Sequence, residues 1–171
     1  MRPLVLTLGG LACLMLAVPM SPRLLWNTTR SVPVGLYRLA PSSTPKLGDL
    51  VVIRLDPDIA VRLARDGWLP RGVPLLKPVV AVGGQQICRK DVRVAIDGRP
   101  VAIALARDAR GRLLPHWSGC RRLNADEIFV LAAPFGSFDG RYFGPTARSA
   151  VLAVAHPVWT PSTAIGDEAR R

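Results

Sequence analysis

Residues 74–84 read Pro-Leu-Leu-Lys-Pro-Val-Val-Ala-Val-Gly-Gly. Apart from Lys77 the run is apolar as far as Val82, and Gly83-Gly84 ends it. A short apolar run bounded by proline and a glycine turn reads as a buried strand. Lys77 is the anomaly. Lysine is seldom fully buried unless paired. Desolvation disfavours the ammonium and lowers its pKa. A lysine held neutral near pH 7 is able to accept a proton. On these residues alone, a lysine snorkelling from a half-exposed strand is the favoured reading.

Working outward, the flanks are also strand-like. Asp49–Leu55 (DLVVIRL) follows a Lys46-Leu47-Gly48 turn, and Gly35–Leu39 alternates before a break from Pro41 to Pro45. Asp58–Asp66 has helical spacing of Ile59, Ala60, Leu63 and Ala64, with Asp58 as a cap. On the other side, Val92–Ile96 alternates into an Asp97-Gly98 turn and Pro100–Leu105 returns, which is a hairpin signature. Asp126–Leu131 and Ala150–Ala155 are the remaining strands. Residues 21–34 read as an extended connector. The fold class expected is mainly β: an antiparallel domain with one or two short helices, behind an N-terminal membrane segment.

That segment is uncharged from Pro3 to Met20, after Met1-Arg2. Its length reaches the lower edge of the spanning range of roughly 17–25 residues. Ala17-Val18-Pro19 is a poor cleavage site, with proline where a small residue is wanted. The expected organisation is an anchor or signal segment over 1–20, a folded domain over 21–160 and a polar tail over 161–171.

Composition narrows the function classes. The hydrophobic fraction is 49% and the mean hydropathy +0.24, which excludes global disorder. The net charge is +11, but no block of like charge exceeds a pair and no basic stretch interleaves with aromatics. Such charge marks a solvated face or an anionic membrane surface rather than nucleic acid. Of three cysteines, Cys13 lies in the apolar segment. Cys88 and Cys120 lack CxxC spacing and a nearby histidine pair, so no metal site or cofactor is expected. Outside the cytoplasm they are the natural disulfide partners.

A lysine base needs a nucleophile, and Ser-Lys pairs are a variant of triad chemistry. Ser31 lies in Thr28-Thr29-Arg30-Ser31-Val32-Pro33-Val34-Gly35-Leu36-Tyr37, about ten residues beyond the apolar segment. Pro33 fixes the local backbone and Gly35 permits close approach of another chain. Read alone, Ser31 is an ordinary polar linker serine.

Taken together, the motifs resemble the signal peptidase superfamily, and within it the TraF-type conjugative-transfer branch. The resemblance runs from about residue 27 to about residue 155. It is carried by Ser31-Val32-Pro33-Val34-Gly35-Leu36-Tyr37, then Lys46–Val52, Leu75–Gly84, Phe129-Val130-Leu131, and Ser137-Phe138-Asp139-Gly140-Arg141-Tyr142-Phe143-Gly144-Pro145. It implies a serine endopeptidase with Ser31 as nucleophile and Lys77 as base. Ser137 would orient the lysine amine, and Asp139 and Arg141 would form a supporting ion pair. Thr29 would offer its hydroxyl to the oxyanion. The implied setting is the bacterial inner membrane, with the catalytic domain in the periplasm. The implied partners are the bilayer and a membrane-embedded, pilin-like precursor, matured with or without cyclisation by a monomeric enzyme. A general type I signal peptidase and a non-catalytic envelope scaffold are the alternatives.

Overall fold

Strands that bury one side chain and expose the next dominate the chain, and they pair antiparallel throughout. The computed structural model describes residues 23–41 and 44–161. The anchor expected over residues 1–20 and the tail beyond Pro161 lie outside them. Among the described residues, no helix is long and apolar enough to cross a membrane.

Leu24–Asn27 (β1), Gly35–Ala40 (β2) and Leu50–Ile53 (β3) precede the helix Pro57–Arg65 (α1). Leu75–Val82 (β4), Gln86–Lys90 (β5), Arg93–Ile96 (β6), Arg99–Ile103 (β7), Gly119–Arg122 (β8) and Glu127–Val130 (β9) follow. A one-turn helix, Gly140–Phe143 (α2), then leads to Thr146–Ala147 (β10) and Val151–Trp159 (β11). One sheet has the order β1-β2-β11-β3-β4-β9-β10, and the second β7-β6-β5-β8. The mainly antiparallel β domain with two short helices is therefore the fold observed.

The lysine strand β4 sits inside the larger sheet, with Lys77 opposite Val51 of β3 and Val79 opposite Val130 of β9. Alternation puts Leu75, Lys77 and Val79 on one face. Val79 packs there with Val51, Ile53, Ile128, Val130 and Val154. On the other face Leu76 packs with Val32, Tyr37, Val52 and Ala155. A third cluster, including Ala81, Ile87, Val94, Phe129 and Tyr142, joins the two sheets.

Pro78 lies within this internal strand at little cost. Val79 N donates to Asp49 O at 2.8 Å. By ladder alternation, the N–H that proline lacks would point toward β9. Pairing with β9 ends there, at Val79 and Val130, and Pro78 O still accepts from Leu131 N at 3.2 Å.

Several expectations need correction. The connector over 21–34 contains β1, which pairs with β2 from Leu24–Arg38 to Asn27–Gly35. Its Leu-Leu-Trp is too apolar to stay in solvent without a partner, although Leu24 and Trp26 face outward. The cap of α1 is Asp56, not Asp58: Asp56 Oδ1 accepts from Asp58 N at 2.9 Å and Ile59 N at 3.4 Å, and Pro57 takes the first helical position. β11 continues four residues past Ala155, because its pairing with β2 extends to Trp159–Leu36. β5 and β8 were not expected. They pair Cys88 directly opposite Cys120, and the two are joined in a disulfide with Cα atoms 4.0 Å apart.

Candidate active site

Three polar side chains from distant parts of the chain meet above β4. Lys77 is buried, 3% exposed. Its Nζ lies 2.6 Å from Ser31 Oγ and 2.7 Å from Ser137 Oγ, and Ser137 Oγ donates to Ser31 Oγ at 3.2 Å. A neutral amine at this point can donate to Ser137 while its lone pair faces the Ser31 hydroxyl proton.

Burial pushes the Lys77 ammonium down from 10.5 to about 8; Asp139 pulls it back up and Arg141 pushes it down. At a pKa near 8, about 10% of the lysine is neutral at pH 7, against roughly 0.03% at its ordinary value.

The Ser31 turn is held from beneath. Asn27, at the end of β1, is buried and places its amide nitrogen 2.8 Å from Thr29 O, 3.2 Å from Val32 O and 3.1 Å from Pro33 O. The Tyr37 hydroxyl donates to the same Pro33 carbonyl at 2.5 Å. Gly35 starts β2 with φ 150°, and a Cβ there would run into the Trp159 carbonyl. The Thr29 hydroxyl, expected at the oxyanion, instead donates to Asn27 Oδ1 at 2.9 Å. A hydroxyl has one proton to give, and the Asx-type turn has taken it.

The Ser137 segment is held by an ion pair. Asp139 and Arg141 are 0% and 2% exposed. Arg141 Nε donates to Asp139 Oδ1 at 2.8 Å, and a terminal guanidinium nitrogen donates to Oδ2 at 3.0 Å. Arg141 also donates to Ala132 O at 2.5 Å and Phe135 O at 3.0 Å, bracing the loop that carries Ser137. Asp139 accepts from Ala132 N at 2.9 Å and caps α2 through Arg141 N at 3.2 Å. Gly140 lets α2 pack down: a Cβ there would lie 2.6 Å from Val130 O. Neither Asp139 nor Arg141 hydrogen-bonds the lysine amine; they act on it through charge alone.

The structure thus brings Ser31, Lys77 and Ser137 into direct contact, with Asp139 and Arg141 behind them. The family model for "Signal peptidase, peptidase S26" matches residues 2–160. The chain belongs to the signal peptidase family. Relatives within it share conjugation names. A probable conjugal transfer protein TraF of Sinorhizobium fredii (strain NBRC 101917 / NGR234) is 39% identical over 145 residues, spanning 78% of this chain and 76% of its own. A plasmid transfer protein TraF of Escherichia coli is 31% identical over 164 residues, spanning 89% and 92%. A solved signal peptidase I from Enterococcus faecalis V583 overlays with a TM-score of 0.38 at 17% identity, over 65% of this chain and 96% of that one, which is too distant to argue from.

Asn27 is the residue of this candidate site that the sequence pattern did not single out. An asparagine just before a Thr-Thr-Arg-Ser turn is a signal for a side chain that bonds the backbone ahead of it. It went unread because residues 21–34 looked like a featureless connector.

Proposed function

We propose that the chain is a Ser-Lys serine endopeptidase that matures an exported, pilin-like precursor during conjugative transfer. The observation that carries this is the 2.6 Å contact between the buried Lys77 Nζ and the half-buried Ser31 Oγ. The conjugal-transfer names of the relatives support the conjugative setting.

In this reading neutral Lys77 takes the Ser31 proton as Oγ attacks the scissile carbonyl. The Oγ–C bond forms and the carbonyl electron pair moves to oxygen. In this reading the Ser31 backbone N–H, for which no acceptor is seen among the described residues, receives that oxyanion. The resulting Lys77 ammonium, held by Ser137, protonates the leaving amine as the C–N bond breaks. Water, or the precursor's own amino terminus, then attacks the ester and releases Ser31. Membrane attachment through residues 1–20 would hold a monomeric enzyme beside membrane-embedded precursors, with the site in the periplasm. The Cys88–Cys120 disulfide fits that oxidising compartment.

The test is mass spectrometry of a pilin precursor co-expressed with the full chain. Ser31→Ala and Lys77→Ala should each abolish processing, and the double variant should be no worse than either single, as for members of one catalytic unit. Normal processing by either folded single variant removes the assignment.

A further inference from the structure

A cavity of about 560 Å³, lined by both neighbours of Ser137 but by none of Ser31, Lys77 and Ser137 themselves, is left unused by the proposed chemistry. Gly136 and Phe138, the two neighbours of Ser137, line it on one side. Leu75 lines it from β4, on the Lys77 face and two strand residues, about 7 Å, from the lysine. Leu63 of α1, with Trp68 and Leu114, completes the enclosure.

Its walls are fixed before any ligand arrives. Trp68 Nε1 donates to Asp108 Oδ2 at 3.1 Å. Arg112 lies over the Trp68 ring at 4.9 Å and bonds Asp108 at 2.7 Å. Phe138 stacks on Tyr142 with ring centroids 5.4 Å apart. Of the charged groups that line it, Asp108 and Arg112 are paired with each other, and Arg110 is exposed to solvent. What remains is carbon surface, in a volume within the range of small-ligand sites.

We infer that this cavity is a substrate subsite that takes one large apolar side chain of the precursor, leucine-sized or larger, within three residues of the scissile bond. The inference rests on the peptidase reading above. The occupant follows from which residues line the cavity: Gly136 and Phe138 flank Ser137, and Leu75 shares the Lys77 face of β4. A peptide whose carbonyl sits on Ser31 advances about 3.3 Å per extended residue, so a side chain one or two residues along reaches Phe138 and Leu75. The face of β4 that carries Leu76 is filled by Val32 and Tyr37. The open volume is therefore on the Lys77 side.

The experiment uses the purified full chain in detergent and an internally quenched peptide library randomised one position at a time, with cut sites read by mass spectrometry. Wild type should prefer Leu, Phe or Trp over Ala by at least tenfold in kcat/KM at one position within three of the cut, the scale expected of an apolar pocket. Gly136→Leu fills the cavity from one side. Gly136 has no positive φ, and a Cβ there meets nothing within 4 Å. Ala109→Trp fills it from the opposite rim, and carries the test if the first variant does not fold. Each should reduce that preference at least tenfold and leave preferences at other positions as in wild type. An unchanged profile in a folded filling variant overturns the subsite, as does a wild-type profile with no apolar preference. A wild type that cuts no peptide sinks the peptidase reading itself, and the subsite with it.

Discussion

Replacing Lys77 with Met separates the buried-base argument from catalysis, because it is read in stability. Methionine keeps the apolar stem and removes the charge. The fall of the lysine from 10.5 to about 8 corresponds to about 3 kcal/mol, at 1.36 kcal/mol per pH unit. Below pH 8 the lysine is charged whether folded or not, and the folded domain bears the whole desolvation cost. Between 8 and 10.5 the folded lysine releases its proton while the unfolded one keeps it, so wild-type stability rises with pH. Above 10.5 both forms are neutral and the cost is gone. The variant has no such dependence. Loss of the Lys77 bonds to Ser31 and Ser137 subtracts roughly 1 kcal/mol each, at all pH. Lys77→Met should then be about 1 kcal/mol more stable than wild type at pH 7 and about 2 kcal/mol less stable above pH 10.5. Denaturant unfolding of both full-length proteins in the same detergent, from pH 6.5 to 11, measures the gap, and other titrating groups cancel in the comparison. A gap that stays constant across that range would mean that Lys77 is solvated, and the neutral-base argument fails with it.

Two further predictions concern the groups behind the lysine and the second sheet. The rising limb of the pH–rate profile should lie near pH 8; Arg141→Met should move it alkaline, because it removes a charge that lowers the lysine and leaves Asp139, which raises it. Asp139→Asn should move it acid, and since Asp139 is the stronger neighbour the double variant should also move acid; a wild-type limb near 10.4 refutes all three. Replacing Cys88 and Cys120 by Ser opens a loop of sequence separation 32 and should lower stability by about 3–4 kcal/mol on the chain-entropy model, so an unchanged melting temperature refutes the structural role of the bridge.

The strands were legible wherever one face is buried and the other wet, as in Gly35–Ala40 and Arg93–Ile96, because alternation is what a half-buried sheet selects. β8 was not: Gly119-Cys120-Arg121-Arg122 is exposed along its whole length and is placed by the bond to Cys88 rather than by an apolar pattern. β1 was missed for a related reason: its place at the sheet edge is decided by pairing with β2, which no local pattern records. Lys77 stood out as a residue type in the wrong surroundings, whereas Ser31 was marked only by the motif around it. Their separation of 46 residues carries no hint that the two side chains meet. The role of Asn27 depends on carbonyls two to six residues ahead turning inward, which only the folded turn reveals.

The placement of Arg141 helps to explain how a buried lysine keeps a lowered pKa beside a buried carboxylate. Asp139 alone would raise the lysine and work against a neutral base. Removing Asp139 is not free, because its carboxylate takes the Ala132 N–H and caps the helix that follows Ser137. Arg141 offsets part of this effect by engaging both carboxylate oxygens, and its own charge lowers the lysine, although Asp139 remains the stronger of the two. The same guanidinium donates to the Ala132 and Phe135 carbonyls, on the loop that delivers the Ser137 hydroxyl. These are four bonds from one rigid fork, whereas a lysine carries three donors on a flexible stem. Charge tuning of Lys77 and positioning of Ser137 are therefore one property of Arg141. This is the physical reason for keeping an ion pair buried where it contributes little net stability of its own.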